Sequence, residues 1–153
     1  MARYRRYIRK SFKKRNSERV IRGGSSSIAS MTQQIAYTYT AAEACTVKSI
    51  KLDIGSSMVA ETNYNMLHPY VLALVLEGYN ANPITYPALT DDMYNPTNLV
   101  LISGILTDAA VEDHKYNMIG RKMKKGDRLA LIIQNRGEGA QTVSFEISFS
   151  VMT

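Results

Sequence analysis

An all-β antiparallel sandwich or barrel behind a basic N-terminal arm is the fold this sequence predicts. Three observations predict it. Apolar residues alternate with polar ones over the last ten residues of sheet-like sequence, short β-branched runs recur between turn-forming clusters, and positive charge is crowded into the first 22 positions. Strict alternation has the period of a half-buried strand, whereas a helix would repeat every 3.6 residues.

The charge is the first element. Arg3, Arg5, Arg6, Arg9, Lys10, Lys13, Lys14, Arg15, Arg19 and Arg22 are ten of the 19 basic residues, and Glu18 is the one acid among them. This segment carries +9, while the remaining residues hold nine basic against twelve acidic side chains, a net of −3. The overall +6 is therefore a property of the arm. A run of like charge buries little apolar surface and repels itself, so it is expected to be solvated and disordered in the free protein. The following Gly23 to Ser27, "GGSSS", reads as a flexible linker. The division expected is 1–27 for arm and linker and 28–153 for the folded body.

The body reads as a chain of strands. In "TVSFEISFSV", Val143, Phe145, Ile147, Phe149 and Val151 share one parity against Ser144, Glu146, Ser148 and Ser150. "QIAYTYT" sets Ile35, Tyr37 and Tyr39 against Ala36, Thr38 and Thr40. "TVKSIKLDI" alternates at Ile50, Leu52 and Ile54 but places Val47 on the other parity, which a bulge near Lys48–Ser49 would repair. "YVLALVLEG", "LVLISGIL" and "RLALIIQN" read as strands buried on both faces. "YNMIGRKM" is a weaker strand, turned by Gly126–Asp127 into Leu129, and "TDAAVEDHK" is the one stretch with helical character. Residues 78–98 hold three prolines and read as a long loop. Seven or eight short strands with almost no helix fit an immunoglobulin-like sandwich, a jelly roll or an open barrel. Periodicity does not choose among them.

Several function classes are disfavoured. No apolar run is long enough to span a membrane, and the N-terminus lacks a secretory signal. Cys45 is the single cysteine, so no intrachain disulfide forms, and a small semi-buried thiol is the simplest reading. His68 and His114 are far apart, and no nucleophile–base constellation, phosphate loop or paired metal ligands appear, so an enzyme or a cofactor is not expected. Asp91, Asp92, Asp108, Glu112 and Asp113 would hold Ca²⁺ only if loops or subunits brought them together; solvated loop acids are the simpler account.

What remains is a polyanionic partner for the arm. Arginine outnumbers lysine there seven to three, and its guanidinium makes bidentate phosphate contacts. Tyr4, Tyr7 and Phe12 are interleaved with the cations and can stack on unpaired bases. Tyr4, Ile8 and Phe12 also share helical spacing, but so thin an apolar face makes a membrane anchor the weaker use. A nuclear import signal would overlap the same residues. Lys122, Lys124, Lys125 and Arg128 form a second basic cluster, either genome-facing or protecting a sheet edge.

The layout of Arg-rich arm, Gly/Ser linker and all-β body resembles that of single-jelly-roll capsid proteins. The opening "MARYRRYIRK" and the segment "GRKMKKGDRLALIIQNRG", Gly120 to Gly137, are similar to those of small circular single-stranded DNA viruses. The resemblance implies an antiparallel eight-stranded jelly-roll sandwich that self-assembles into an icosahedral T=1 shell of about sixty copies. Its arms would package a single-stranded genome, DNA by the resemblance, in a virion, with the host nucleus as a candidate place of assembly. Sixty such arms would bring roughly 540 positive charges, enough to neutralise much of a genome on the order of 1 kb. A monomeric nucleic-acid-binding β-barrel, OB-like or ribosomal, is the rival. It should spread basic and aromatic residues over one sheet face.

Overall fold

The computed structural model describes residues 16–30, 32–56, 68–77, 100–107, 111–116, 120–137 and 139–153. Nine strands occupy them: β1 (Ser17–Ile28), β2 (Gln33–Thr40), β3 (Cys45–Ser56), β4 (His68–Val75), β5 (Val100–Leu106), β6 (Val111–Tyr116), β7 (Arg121–Met123), β8 (Arg128–Gln134) and β9 (Gln141–Met152). One sheet runs β1-β9-β3-β6 with β7 also on β3, and the other runs β2-β8-β4-β5. All pairings are antiparallel.

The pairings nest: β1 with β9, β2 with β8, β3 with β6 and β7, β4 with β5. A long antiparallel hairpin rolled into two facing sheets is the jelly-roll arrangement, so the topology selects among the three architectures that periodicity left open. The ninth strand does not break the pattern. β6 pairs with Ile50–Gly55 and β7 with Cys45–Val47, both on the edge of β3 away from β9, so they share one strand position.

The core lies between the sheets. β9 contributes Val143, Phe145, Ile147, Phe149 and Val151, β3 contributes Val47, Ile50, Leu52 and Ile54, and the facing sheet contributes Tyr70, Leu72, Leu74, Leu129, Leu131 and Ile133. All eight residues of β4 are buried, as the continuous apolar run requires. The bulge expected in β3 is present: Lys48 pairs with Ser150 and Lys51 with Ser148, with Ser49 at φ 53°. The extra residue restores both Val47 and Ile50 to the core.

Four expectations are corrected. Gly23–Ser27 is not a loose linker but the second half of β1, paired residue for residue with β9 from Ser17↔Met152 to Ile28↔Gln141. Val20 and Ile28 pack on the core, and Gly24 leaves room for the Phe145 ring, whose Cζ would sit 3.1 Å from a Cβ placed there. Gly24 thus serves close approach of the Phe145 ring. Arg19 and Arg22 consequently belong to the sheet, and the folded body begins at Ser17 instead of residue 28. In β2, a bulge between Ile35 and Tyr37 puts Ile35 on the outer face with Val75, Ala130 and Ile132, while Tyr37 and Tyr39 face the core. The second half of the stretch with helical character, Val111–Lys115, lies in β6, where Glu112 and His114 turn inward between the sheets while Asp113 and Lys115 face out. The proline-rich loop at 78–98 lies outside the described residues.

Candidate nucleic-acid face at the root of the arm

Arg3, Arg5, Arg6, Arg9, Lys10, Lys13, Lys14 and Arg15 lie outside the described residues, but the place they start from is fixed. The Thr153 amide donates to the Asn16 carbonyl at 3.2 Å, so the arm leaves the body beside the C-terminus. Ser17, Met152, Thr46 and Lys122 form one row across β1, β9, β3 and β7. The next row places Arg19, Ser150 and Lys48 side by side.

Both rows lie on the outer face, since their β9 members alternate with the buried Phe149 and Val151. Arg19 and Lys122 are exposed and Lys48 is half-buried. Two strand spacings separate Arg19 from Lys48, about 10 Å. None of the three is ion-paired among the described residues. Further along, Lys51 is bonded to Asp53 (2.6 Å) and Lys115 lies 3.8 Å from Asp113. That row also holds Glu146 opposite Asp53. The Asp53 hydrogen bond, with Asp113 and Glu146 nearby, holds the Lys51 ammonium above its ordinary range. The outer face is thus cationic at the end where the arm departs and charge-compensated beyond it.

The second basic cluster is split by the fold. Lys122 joins the outer face of the β1-β9-β3 sheet, Lys124 and Lys125 are exposed in the β7–β8 turn, and Arg128 lies on β8 in the other sheet. Arg22 shares the core-facing side of β1 with Val20 and lies close enough to Tyr37 to oppose the rise in its phenol pKa caused by burial. Lys48, not singled out from sequence, belongs with Arg19 and Lys122. The signal was present in "TVKSIKLDI": once the bulge is placed, Lys48 and Lys51 fall on one polar face.

Gly126 and Asp127 are turn chemistry. Gly126 has φ 90°, and the buried Asp127 carboxylate accepts from the Lys124 amide (2.7 Å) and the Glu77 amide (2.9 Å). A cavity of about 820 Å³ opens beside this turn, lined in part by Cys45, Leu76, Met123 and Met152. Burial pushes the Cys45 thiol up, which makes a poor nucleophile. Glu112, one of the acids weighed for Ca²⁺, and His114 meet Tyr70 between the sheets. The Tyr70 hydroxyl donates to Glu112 and contacts His114 Nε2, and His114 Nε2 lies 2.9 Å from Glu112 Oε2. Burial, and then the bond to Glu112, hold the Tyr70 phenol far above its ordinary pKa. Glu112 and Asp113 occupy opposite faces of β6, and no group of three metal-ligating His, Cys, Asp or Glu gathers among the described residues. Asp91, Asp92 and Asp108 lie outside them.

No protein-family model and no curated protein matches the chain. Among solved structures, the chain is similar to one described as Bacillus endospore appendages that form a family of disulfide-linked pili, with TM-score 0.47, 8% identity, 90% of this chain and 89% of that one covered. It is also similar to a structure of infectious bursal disease virus, Gx strain, with TM-score 0.44 and 12% identity over 92% of this chain. The chain spans 33% of that viral chain. Likeness at this level assigns neither family nor function.

Proposed function

We propose that this protein is a structural shell subunit, a capsid protein that associates with copies of itself and packages single-stranded nucleic acid through its arm. The observation that carries the reading is the shared location of the arm's root and the Arg19–Lys48–Lys122 face at one end of one sheet. Cations on a folded surface beside a cationic arm extend one electrostatic footprint, so phosphates drawn in by the arm meet a further docking surface. Jelly rolls form viral capsid, lectin and cupin domains, and a folded body whose net charge from Ser17 onward is −2 lets many copies approach. The monomeric-barrel alternative is disfavoured because Tyr37 and Tyr39 are spent on the core, against Phe145 and Phe149 at 6.2 and 5.1 Å, and leave no stacking platform there.

The test is removal of residues 1–15, which stops short of β1. The expected result is particles of normal size with most of their nuclease-protected nucleic acid lost. Particles that retain full nucleic-acid content overturn the role given to the arm.

A further inference from the structure

β1 is the outermost strand of its sheet and pairs, among the described residues, only with β9. Along Ser17–Ser27 it is exposed except at Val20 and Ser26, and among the described residues no strand pairs with its free edge. Twelve residues of unprotected edge, with no proline and no bulge, form a template for another strand. Ile21, 51% exposed, is the most exposed large apolar residue among those described. The Arg22 guanidinium folds back on the Ile21 carbonyl at 3.1 Å, as a cation does when no partner strand takes that acceptor.

We infer that β1 is an interface for a second copy of this chain, which adds its own β1 antiparallel about a two-fold axis at Val20. This rests on the self-association proposed above and names one of its contacts. The charge sequence selects the register. With Val20 opposite Val20 of the second copy, each Glu18 stands opposite an Arg22, so the contact gains two cross-strand ion pairs. Each Arg19 then stands opposite an Ile21 and can lay its methylene stem along the exposed side chain. Moving the axis to Ile21 sets Arg22 against Val20 and Glu18 against Gly24, and moving it to Arg22 sets two guanidinium groups face to face. The register at Val20 alone of these three pairs opposite charges. It joins the two β1-containing sheets into one continuous sheet, as strand addition does at other exposed edges.

Charge exchange tests this on the full chain freed of nucleic acid, at loadings below those that form particles, with dimer dissociation followed by sedimentation velocity. Glu18→Arg and Arg22→Glu are each expected to weaken the dimer by about tenfold or more, because each places like charges opposite at two positions. The double exchange E18R/R22E restores opposite charges and is expected to return the dimer to within about threefold of the parent. Register is read separately with diamide: Val20→Cys should cross-link two copies, whereas Ile21→Cys, set diagonally at about 7 Å, should not. Unchanged association in both single variants, no rescue by the double exchange, or cross-linking at Ile21 instead of Val20 overturns the inference. If those variants still form normal particles, the shell reading survives it. A parent chain that is monomeric at every concentration removes both.

Discussion

Replacing Arg19, Lys48 and Lys122 together by alanine removes the cations that the fold sets on the outer face beside the arm, and the consequence can be sized. Residues 1–15 hold eight basic side chains, and these three bring the phosphate-facing set to eleven. Each neutralised phosphate on a single strand contributes roughly −0.7 to the slope of log affinity against log salt, so the parent slope should approach about −8. The triple variant should be shallower by about 2. Between about 50 and about 200 mM salt that difference amounts to roughly 20-fold in how far affinity falls. The assay is fluorescence anisotropy of a labelled single-stranded oligonucleotide, titrated at several salt concentrations with dilute subunits. Lys51→Ala is the internal control, since Asp53 already neutralises Lys51 at 2.6 Å, and its slope should change by well under one. A triple variant with the parent slope refutes the idea that the body's face binds phosphate. An equal loss in Lys51→Ala would show that the effect follows net charge and not position.

Three other outcomes follow from the packing. Gly24→Val should lower Tm despite valine's better strand propensity, because its Cβ arrives 3.1 Å from the Phe145 ring; overpacking of this kind costs about 1–3 kcal/mol, and an unchanged or higher Tm in a thermal melt refutes the close-approach account. Asn135→Ala should cost about 2–4 kcal/mol, roughly 10 °C in Tm, since the buried amide donates to Ile28 and Gly139 and accepts from Gly137; a fall under about 2 °C would show that the β8–β9 turn stands without it. Tyr70 holds its proton more tightly folded than unfolded, so its contribution is complete below the unfolded phenol pKa near 10 and declines as pH rises above it. Urea melts across that range should show a shallower alkaline loss in Tyr70→Phe than in the parent, and parallel losses refute the assignment.

The strand pattern was legible because burial on one face imposes a period of two, as in β9, and even the β3 bulge was visible as a parity break at Val47. The arm–body boundary was not. Gly23–Ser27 has the composition of a linker, and what makes it a strand is non-local: the β9 backbone across from it and the Phe145 ring that needs Gly24. The same holds for β6, whose charged sequence looks helical until Tyr70, from the other sheet, gives Glu112 and His114 something to face. The jelly-roll order was reached from sequence through resemblance alone, since pairing between β1 and β9, more than a hundred residues apart, leaves no local trace. The basic cluster at 122–128 illustrates the limit for the site. Sequence proximity grouped four cations that the fold divides among two sheets and the turn between them, while Lys48, far away in sequence, completes the face.

On the proposed reading, the body coheres with copies of itself while the arm gathers nucleic acid. Mass photometry of the full-length chain, with nuclease-treated material alongside, tests it most directly. The expected result is a population in the megadalton range that protects nucleic acid. A single species near 17.1 kDa at every salt and protein concentration contradicts it.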